Sequence, residues 1–168
     1  IKVLELGHTI MGPTAGLVLA DLGADVYKVE RTGRGDDTRW LKGFGAGFFT
    51  YFNRNKRSLS IDLKSAPGKE LLLRLIESAD VLIENFGPET VERLGVGYET
   101  CRGRNPRLIY CSLKGFMPGP YEKRPALDEV VQMMGGLAYM TGPTARPLRA
   151  GASVTDIVGG SYGVIGIL

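Results

Sequence analysis

At 168 residues, 43% hydrophobic and 23% charged, the chain has the size and composition of one ordinary globular unit with a single sizeable core. Its net charge of +3 is too small to mark a nucleic-acid binder by itself, and no apolar run reaches the roughly 18 residues of a membrane span. Two cysteines without C-x-x-C spacing and a single histidine, His8, argue against a disulfide framework or a zinc site and for a reducing compartment.

In chain order, residues 3–6 read as a short buried strand. Residues 13–22 read as a helix, with Pro13 in its first turn, Leu17, Val18, Ala20 and Leu22 on its apolar face, and Gly23 as its stop. Residues 24–29 form a second strand, and the glycine- and charge-rich stretch 32–47 is a loop. Residues 58–63 alternate like a strand. Ser65 and Pro67 then open an amphipathic helix, with Leu71, Leu72, Leu75 and Ile76 inward and Lys69, Glu70, Arg74 and Glu77 outward. A buried strand at 81–83, short helices at 88–94 and 98–102, and a strand at 108–112 follow. Residues 115–127 are a Gly/Pro-rich loop, and 128–140 a helix weakened by Gly135 and Gly136. Such alternation predicts an α/β fold with an open parallel sheet, Rossmann-like, and helices on both faces.

The last segment carries the most pointed feature. Asp156 closes the small-residue run Arg149-Ala150-Gly151-Ala152-Ser153-Val154-Thr155-Asp156, and a helix pattern begins there with Ile157, Val158, Tyr162, Val164, Ile165, Ile167 and Leu168. Thr155 or Ser153 could cap that helix and place Asp156 in its first turn, where free N–H groups and the helix dipole favour an ionised acid. Taken alone, such an acid reads first as a helix cap; an accessible one among small neighbours can also act as nucleophile or base. Ligands of open parallel sheets settle beyond the carboxyl ends of the strands. Loops there could gather His8, Arg31, Asn85, Phe86 and Lys114 into one crevice.

A series of blocks recurs in order: Val3-Leu4-Glu5-Leu6 with Gly12-Pro13; Ala20-Asp21-Leu22-Gly23-Ala24-Asp25-Val26 leading to Lys28-Val29-Glu30-Arg31; and Gly35-Asp36-Asp37-Thr38-Arg39. Asn53-Arg54-Asn55-Lys56-Arg57-Ser58, Ile61-Asp62-Leu63-Lys64, Glu84-Asn85-Phe86-Gly87-Pro88 and Arg93-Leu94-Gly95 come next, before the Asp156 segment. Over essentially its whole length the chain resembles the N-terminal part of class III coenzyme A transferases, a family with formyl-CoA transferase-like members and an α-methylacyl-CoA racemase. The resemblance implies a CoA-binding, Rossmann-like large domain over residues 1–168. The missing initiator Met and the end inside a helix pattern at Leu168 give the expectation of an N-terminal piece of a longer chain, its second domain lying elsewhere.

By the same resemblance Asp156 is the nucleophile. The positions matching cofactor contacts are Thr9, Ile10, Met11, Arg31, Ile61, Lys64, Asn85, Phe86, Gly87, Arg93 and Lys114. Arg31, Lys64 and Arg93 suit phosphates, Arg31 or Leu63 can flank a base, and Asn85, Phe86 and Gly87 can line a pantetheine channel, with the Asn85 side chain matching an amide. Viewed singly, the three cations are ordinary surface charges and Asn85-Phe86-Gly87 a strand end and turn. The implied reaction moves CoA from an acyl-CoA to a free carboxylic acid through aspartyl–acyl anhydride and aspartyl-CoA intermediates, with CoA as cosubstrate and no permanently bound cofactor or metal. An interlocked homodimer is expected, with no nucleic-acid or membrane partner, in the cytoplasm, mitochondria and peroxisomes also being open.

Two departures bear on substrate. Ile10 stands where many transferases carry a polar residue, and Leu127 where many carry Tyr and racemases carry His. Leu127 has no titratable group, which favours transfer over racemisation. Two other classes stay open. An NAD-dependent oxidoreductase would use Gly7, Gly12 and Gly16 with Glu30 on a ribose, although the glycine spacing is not G-x-G-x-x-G. A binding module for anionic ligands or RNA would use Arg54, Lys56 and Arg57 beside Phe49, Tyr51 and Phe52.

Overall fold

The computed structural model describes residues 1–168, the side chain of Phe44 excepted. Its sheet consists of β1 (Lys2–Glu5), β2 (Asp25–Glu30), β3 (Arg57–Ser60), β4 (Val81–Glu84) and β5 (Ile109–Ser112), all parallel, in the order β3-β2-β1-β4-β5. Side chains alternate across a strand, so neighbouring residues serve opposite layers. Val3, Val81 and Ile83 face one core with Ala15, Leu19 and Val164, while Leu4 and Leu82 face the other with Leu72, Ile76 and Cys101. Both faces are therefore covered, which is why the strands read as continuous apolar runs.

Helices α1 (Met11–Asp21) and α8 (Val154–Ile167) cover the first face; α3 (Ala66–Ile76), α4 (Thr90–Leu94) and α5 (Tyr98–Arg104) cover the second. Helix α3 forms as its sequence predicts: Ser65 Oγ accepts from the Gly68 N–H at 3.1 Å and Pro67 stands in the first turn. Its inward set differs by one position. Leu73 is buried and Leu71 is 45% exposed, because the helix nestles against the sheet on one side and α5 on the other. Helix α1 starts at Met11, before Pro13, and ends where Gly23 turns with φ +95°. Leu22, placed on its apolar face by periodicity, lies beyond the last turn and is exposed.

The loop at 32–47 holds two 3₁₀ turns, Asp37–Trp40 and Gly43–Gly45, and leads into α2 (Phe48–Phe52). The first turn is capped by Asp36, whose Oδ1 accepts from the Thr38 N–H at 2.8 Å. Residues 128–140 divide into α6 (Asp128–Met134) and α7 (Leu137–Thr141), because Gly136 adopts φ +82° between them. Among the described residues no helix is long and apolar enough to cross a membrane, and Cys101 and Cys111 are both free thiols.

Helix α8 lies close against α1 because it carries glycine where the two meet. A Cβ on Gly160 would stand 2.5 Å from the Met11 carbonyl oxygen and 2.9 Å from Thr14 Cβ. Asp156 is one turn earlier on the same face of α8, so this contact sets how deeply its carboxylate sits beside Met11. Gly160→Ala is expected to cost about 1–3 kcal/mol of stability, measured by denaturant unfolding, because the new methyl meets backbone.

Candidate active site

In this strand order the succession of strands switches sides between β1 and β4, which opens a crevice at their carboxyl ends. Two turns leave the sheet there, 6–10 after β1 and 85–89 after β4. They are clasped by one side chain. Asn85 Oδ1 accepts from the His8 N–H at 2.8 Å and Asn85 Nδ2 donates to the His8 carbonyl at 3.0 Å. Glycine permits the approach: a Cβ on Gly12 would lie 2.7 Å from both Asn85 Oδ1 and Gly7 Cα. The Asn85 amide is thus engaged with backbone through one donor and one acceptor site. Thr9, at the apex of the first turn, holds φ +64°, a strained conformation for a residue with a Cβ.

Two adjoining cavities share His8 and Phe86, whose rings lie 5.7 Å apart, centroid to centroid. The larger, about 520 Å³, is lined by Thr9, Arg31, Ile61 and Lys64. The smaller, about 240 Å³, is lined by Met11, Asn85, Gly87, Lys114 and Asp156. Ten of the twelve predicted site residues therefore line this pair of cavities. Arg93 lines neither; it is exposed and donates to Thr90 Oγ1 at 3.1 Å. Ile10 lines neither; its side chain is buried with Leu17 and Phe52. The predicted single crevice is in fact divided, with Arg31 in the larger part and Asn85 and Lys114 in the smaller.

The cations differ in availability. Arg31 pairs with Asp37 where both are more than 60% exposed, a pair of little energetic weight that a stronger anion can displace. Lys64 is exposed. Lys114 is tied inward, its Nζ donating to Glu84 Oε2 and to the Phe86 carbonyl, both at 2.7 Å. Desolvation lowers the pKa of His8 against the opposing pull of Asp36, so its imidazole is neutral at physiological pH.

The Asp156 carboxylate accepts no hydrogen bond and makes no ion pair among the described residues, so it does not cap its own helix. Neither Ser153 nor Thr155 caps it by side chain. That work falls to Asp128 at the start of α6. Its Oδ1 accepts from the N–H of Thr155 at 2.9 Å, the N–H of Asp156 at 3.2 Å and Thr155 Oγ1 at 2.7 Å. Position in the first turn predicted a readily ionised acid, and the structure reverses this. Burial first, and the Asp128 charge second, push the Asp156 pKa up to about 6, with Arg149 opposing.

Several site-forming residues carried no sequence signal of their own. Asp128 and Glu84 act through partners 27–30 residues away. Glu30, read as a possible ribose ligand, is filled: its Oε2 accepts from Arg39 Nε at 2.7 Å and the Asp36 N–H at 2.8 Å, and its Oε1 from Ser58 Oγ at 2.7 Å. These bonds hold its pKa down near 2 despite burial. The basic run fares likewise. Arg54 pairs with Asp21 and Arg57 with Asp25 at the surface, while Lys56 is buried against Glu5, so the three cations do not share one exposed face. Among the described residues no three His, Cys, Asp or Glu side chains converge as metal ligands.

The chain is similar to known proteins over its whole length. The model of CoA-transferase family III matches residues 1–168. The succinate–glutarate CoA-transferase of Agrobacterium fabrum is 44% identical over 99% of the chain and 45% of its own length. The formyl-CoA:oxalate CoA-transferase of a Rhodopseudomonas palustris strain is 43% identical over 100% of the chain and 41% of its own. A CAIB/BAIF family protein from Brucella suis superposes with a TM-score of 0.91 at 44% identity, over 99% of this chain and 47% of that one. The chain thus spans less than half the length of these relatives. Match across every residue, together with the shared sheet, places it: the chain belongs to CoA-transferase family III.

Proposed function

We propose that this chain is the CoA-binding, nucleophile-bearing part of an enzyme that moves CoA from an acyl-CoA to a free carboxylic acid. One observation carries the reading: an unpartnered Asp156 carboxylate lines the cavity walled by Asn85, Phe86 and Gly87, next to a cleft offering Arg31 and Lys64. Arg31 and Lys64 hold phosphates in the larger cleft, over the apolar Ile61 and Leu63. The pantetheine arm passes Phe86, and Gly87, beside which no atom lies within 4 Å of a would-be Cβ, leaves its path open. Asp156 Oδ attacks the thioester carbonyl, the C–S bond breaks, and CoA leaves as thiolate from an aspartyl–acyl anhydride. The thiolate attacks the aspartyl carbonyl and expels the first acid, giving an aspartyl-CoA thioester. The second acid reverses both steps.

Each step trades one activated acyl bond for another, so no ATP is consumed. Binding of the distant nucleotide end offsets the strain of the anhydride. Racemisation would need a second acid–base group, and Leu127 supplies none. The remainder of the longer chain, paired as an interlocked homodimer, closes the site and keeps water from the intermediates. Full-length enzyme given an acyl-CoA and an isotope-labelled free acid is expected to build the label into new acyl-CoA without ATP. Hydrolysis to acid and CoA alone, or inversion at the α-carbon without exchange, would contradict the proposal.

A further inference from the structure

We propose that Asp128 is a positioning residue for Asp156: its carboxylate holds the first turn of α8 in place and sets a second negative charge beside the nucleophile. The inference rests on the reading of Asp156 as nucleophile. Asp128 is 6% exposed. One of its oxygens takes three hydrogen bonds from Thr155 and Asp156, as described, so α6 and α8 are joined at the residue adjoining the nucleophile and at the nucleophile itself. Its other oxygen accepts from Gln132 Nε2 and lies 3.4 Å from Arg149 Nη2. Gln132, with no exposed surface, also accepts from the Ala150 N–H at 2.7 Å and donates to the Ala152 carbonyl at 3.2 Å. The small-residue run before α8 is therefore threaded onto α6 by two buried side chains. Such support fixes a nucleophile to the accuracy that attack on a thioester carbon demands.

Burial, and second to it the Asp128 charge, explain why this acid at a helix N-terminus resists ionisation. An Asp156 carboxylate with a raised pKa is a stronger nucleophile than an ordinary one, yet at neutral pH it is still about tenfold more ionised than protonated. The charged groups around it are few. Helix α6 contributes Asp128 and Glu129, and the segment before α8 contributes Arg149, which pairs with both. Across the cavity stand His8, Lys114 with its Glu84 partner, Glu122 and Arg124. Helix α1, β5 and the chain just after β5 bring Met11, Thr14, Ala15, Cys111 and Leu113 against α8.

Two substitutions in the full-length enzyme test this, read by the pH dependence of single-turnover CoA release. Asp128→Asn keeps an acceptor for α8 and removes the charge. Its midpoint is expected to fall from about 6 by about one pH unit, and its plateau rate by roughly tenfold, at unchanged KM for acyl-CoA. Arg149→Met removes the opposing cation, and its midpoint is expected to rise. Opposite shifts are not what mere loosening of the site would give. Unmoved midpoints in both folded variants would overturn the inference; if the Asn variant does not fold, the direction of the Met variant decides alone. Asp156→Asn serves as control: undiminished exchange there would sink the nucleophile reading itself, whereas an inactive control with unmoved midpoints would sink only the role of Asp128.

Discussion

Asp156→Asn in the full-length enzyme is expected to lower acyl exchange by at least about 10³-fold while CoA affinity stays within a few-fold, because the larger cleft with Arg31 and Lys64 does not include the substituted side chain. In the unsubstituted enzyme the rate of the first acylation is expected to rise with pH around about 6, since below that value Asp156 carries a proton and cannot attack. The same variant should be more stable. Asp156 titrates near 3.8 when unfolded and about 6 when folded, so between those values the folded state binds the extra proton and stability falls as pH rises. The full difference corresponds to at most ~3 kcal/mol; partial exposure brings the expected gain to about 1–2 kcal/mol above pH 7 and to little near pH 4. Thermal melts of both proteins at pH 4.5 and 7.5 would measure it. Loss of activity with gain of stability is the mark of a group kept for chemistry rather than for folding.

Glu5→Ala is expected to cost about 3–5 kcal/mol, the largest loss of stability from any one side chain considered, measured by denaturant unfolding. Glu5 has no exposed surface and sits in β1 between two buried lysines. Lys28 Nζ is 3.1 Å from its Oε1 and Lys56 Nζ is 2.6 Å from its Oε2. Lys28 also donates to the Gly7 carbonyl at 2.8 Å and pairs with Asp36 at 2.9 Å, while Lys56 donates to the Pro13 carbonyl at 2.8 Å. Burial opposes both charges. It prevails at Lys56, whose pKa falls to about 8, and loses at Lys28, where Glu5 and Asp36 hold the pKa up. Removing Glu5 leaves two ammonium groups short of a counter-charge at the roots of the β1–α1 turn. Because that turn carries His8 and Thr9, CoA affinity should fall together with stability. Gly16 is part of the same design: a Cβ there would stand 1.9 Å from Glu5 Oε2, so only glycine lets α1 pass over the cluster.

Legibility followed the range of the interactions. Strands and helices driven by local pattern, such as β4 and α3, are plain in sequence because apolar period and capping residue lie within a few positions. The charged core is not. Lys28 gains its partner only when β2 lies beside β1, which sets Lys28 opposite Glu5. Lys56 reads as one of a solvated basic run, yet only 1% of its side chain is exposed. Leu71 and Leu73 show the smaller error: hydrophobic period identifies the helix, while the neighbour α5 decides which leucine is covered. At the site, the strand-end loops pointed to the carboxyl edge of the sheet, and most positions named by family resemblance line the two cavities found there. The state of Asp156 was not readable, since the helix terminus argued for easy ionisation, whereas tertiary burial and the charge of Asp128, 28 residues away, override it. The use of the Asn85 side chain as a clasp on His8 was hidden for the same reason.

The most direct test of covalent catalysis is chemical trapping. Full-length enzyme mixed with an acyl-CoA and quenched into hydroxylamine, then digested and sequenced by mass spectrometry, should carry a hydroxamate on Asp156, and none when acyl-CoA is omitted. A hydroxamate on another side chain, or an unmodified Asp156 in enzyme that is turning over, would contradict the account.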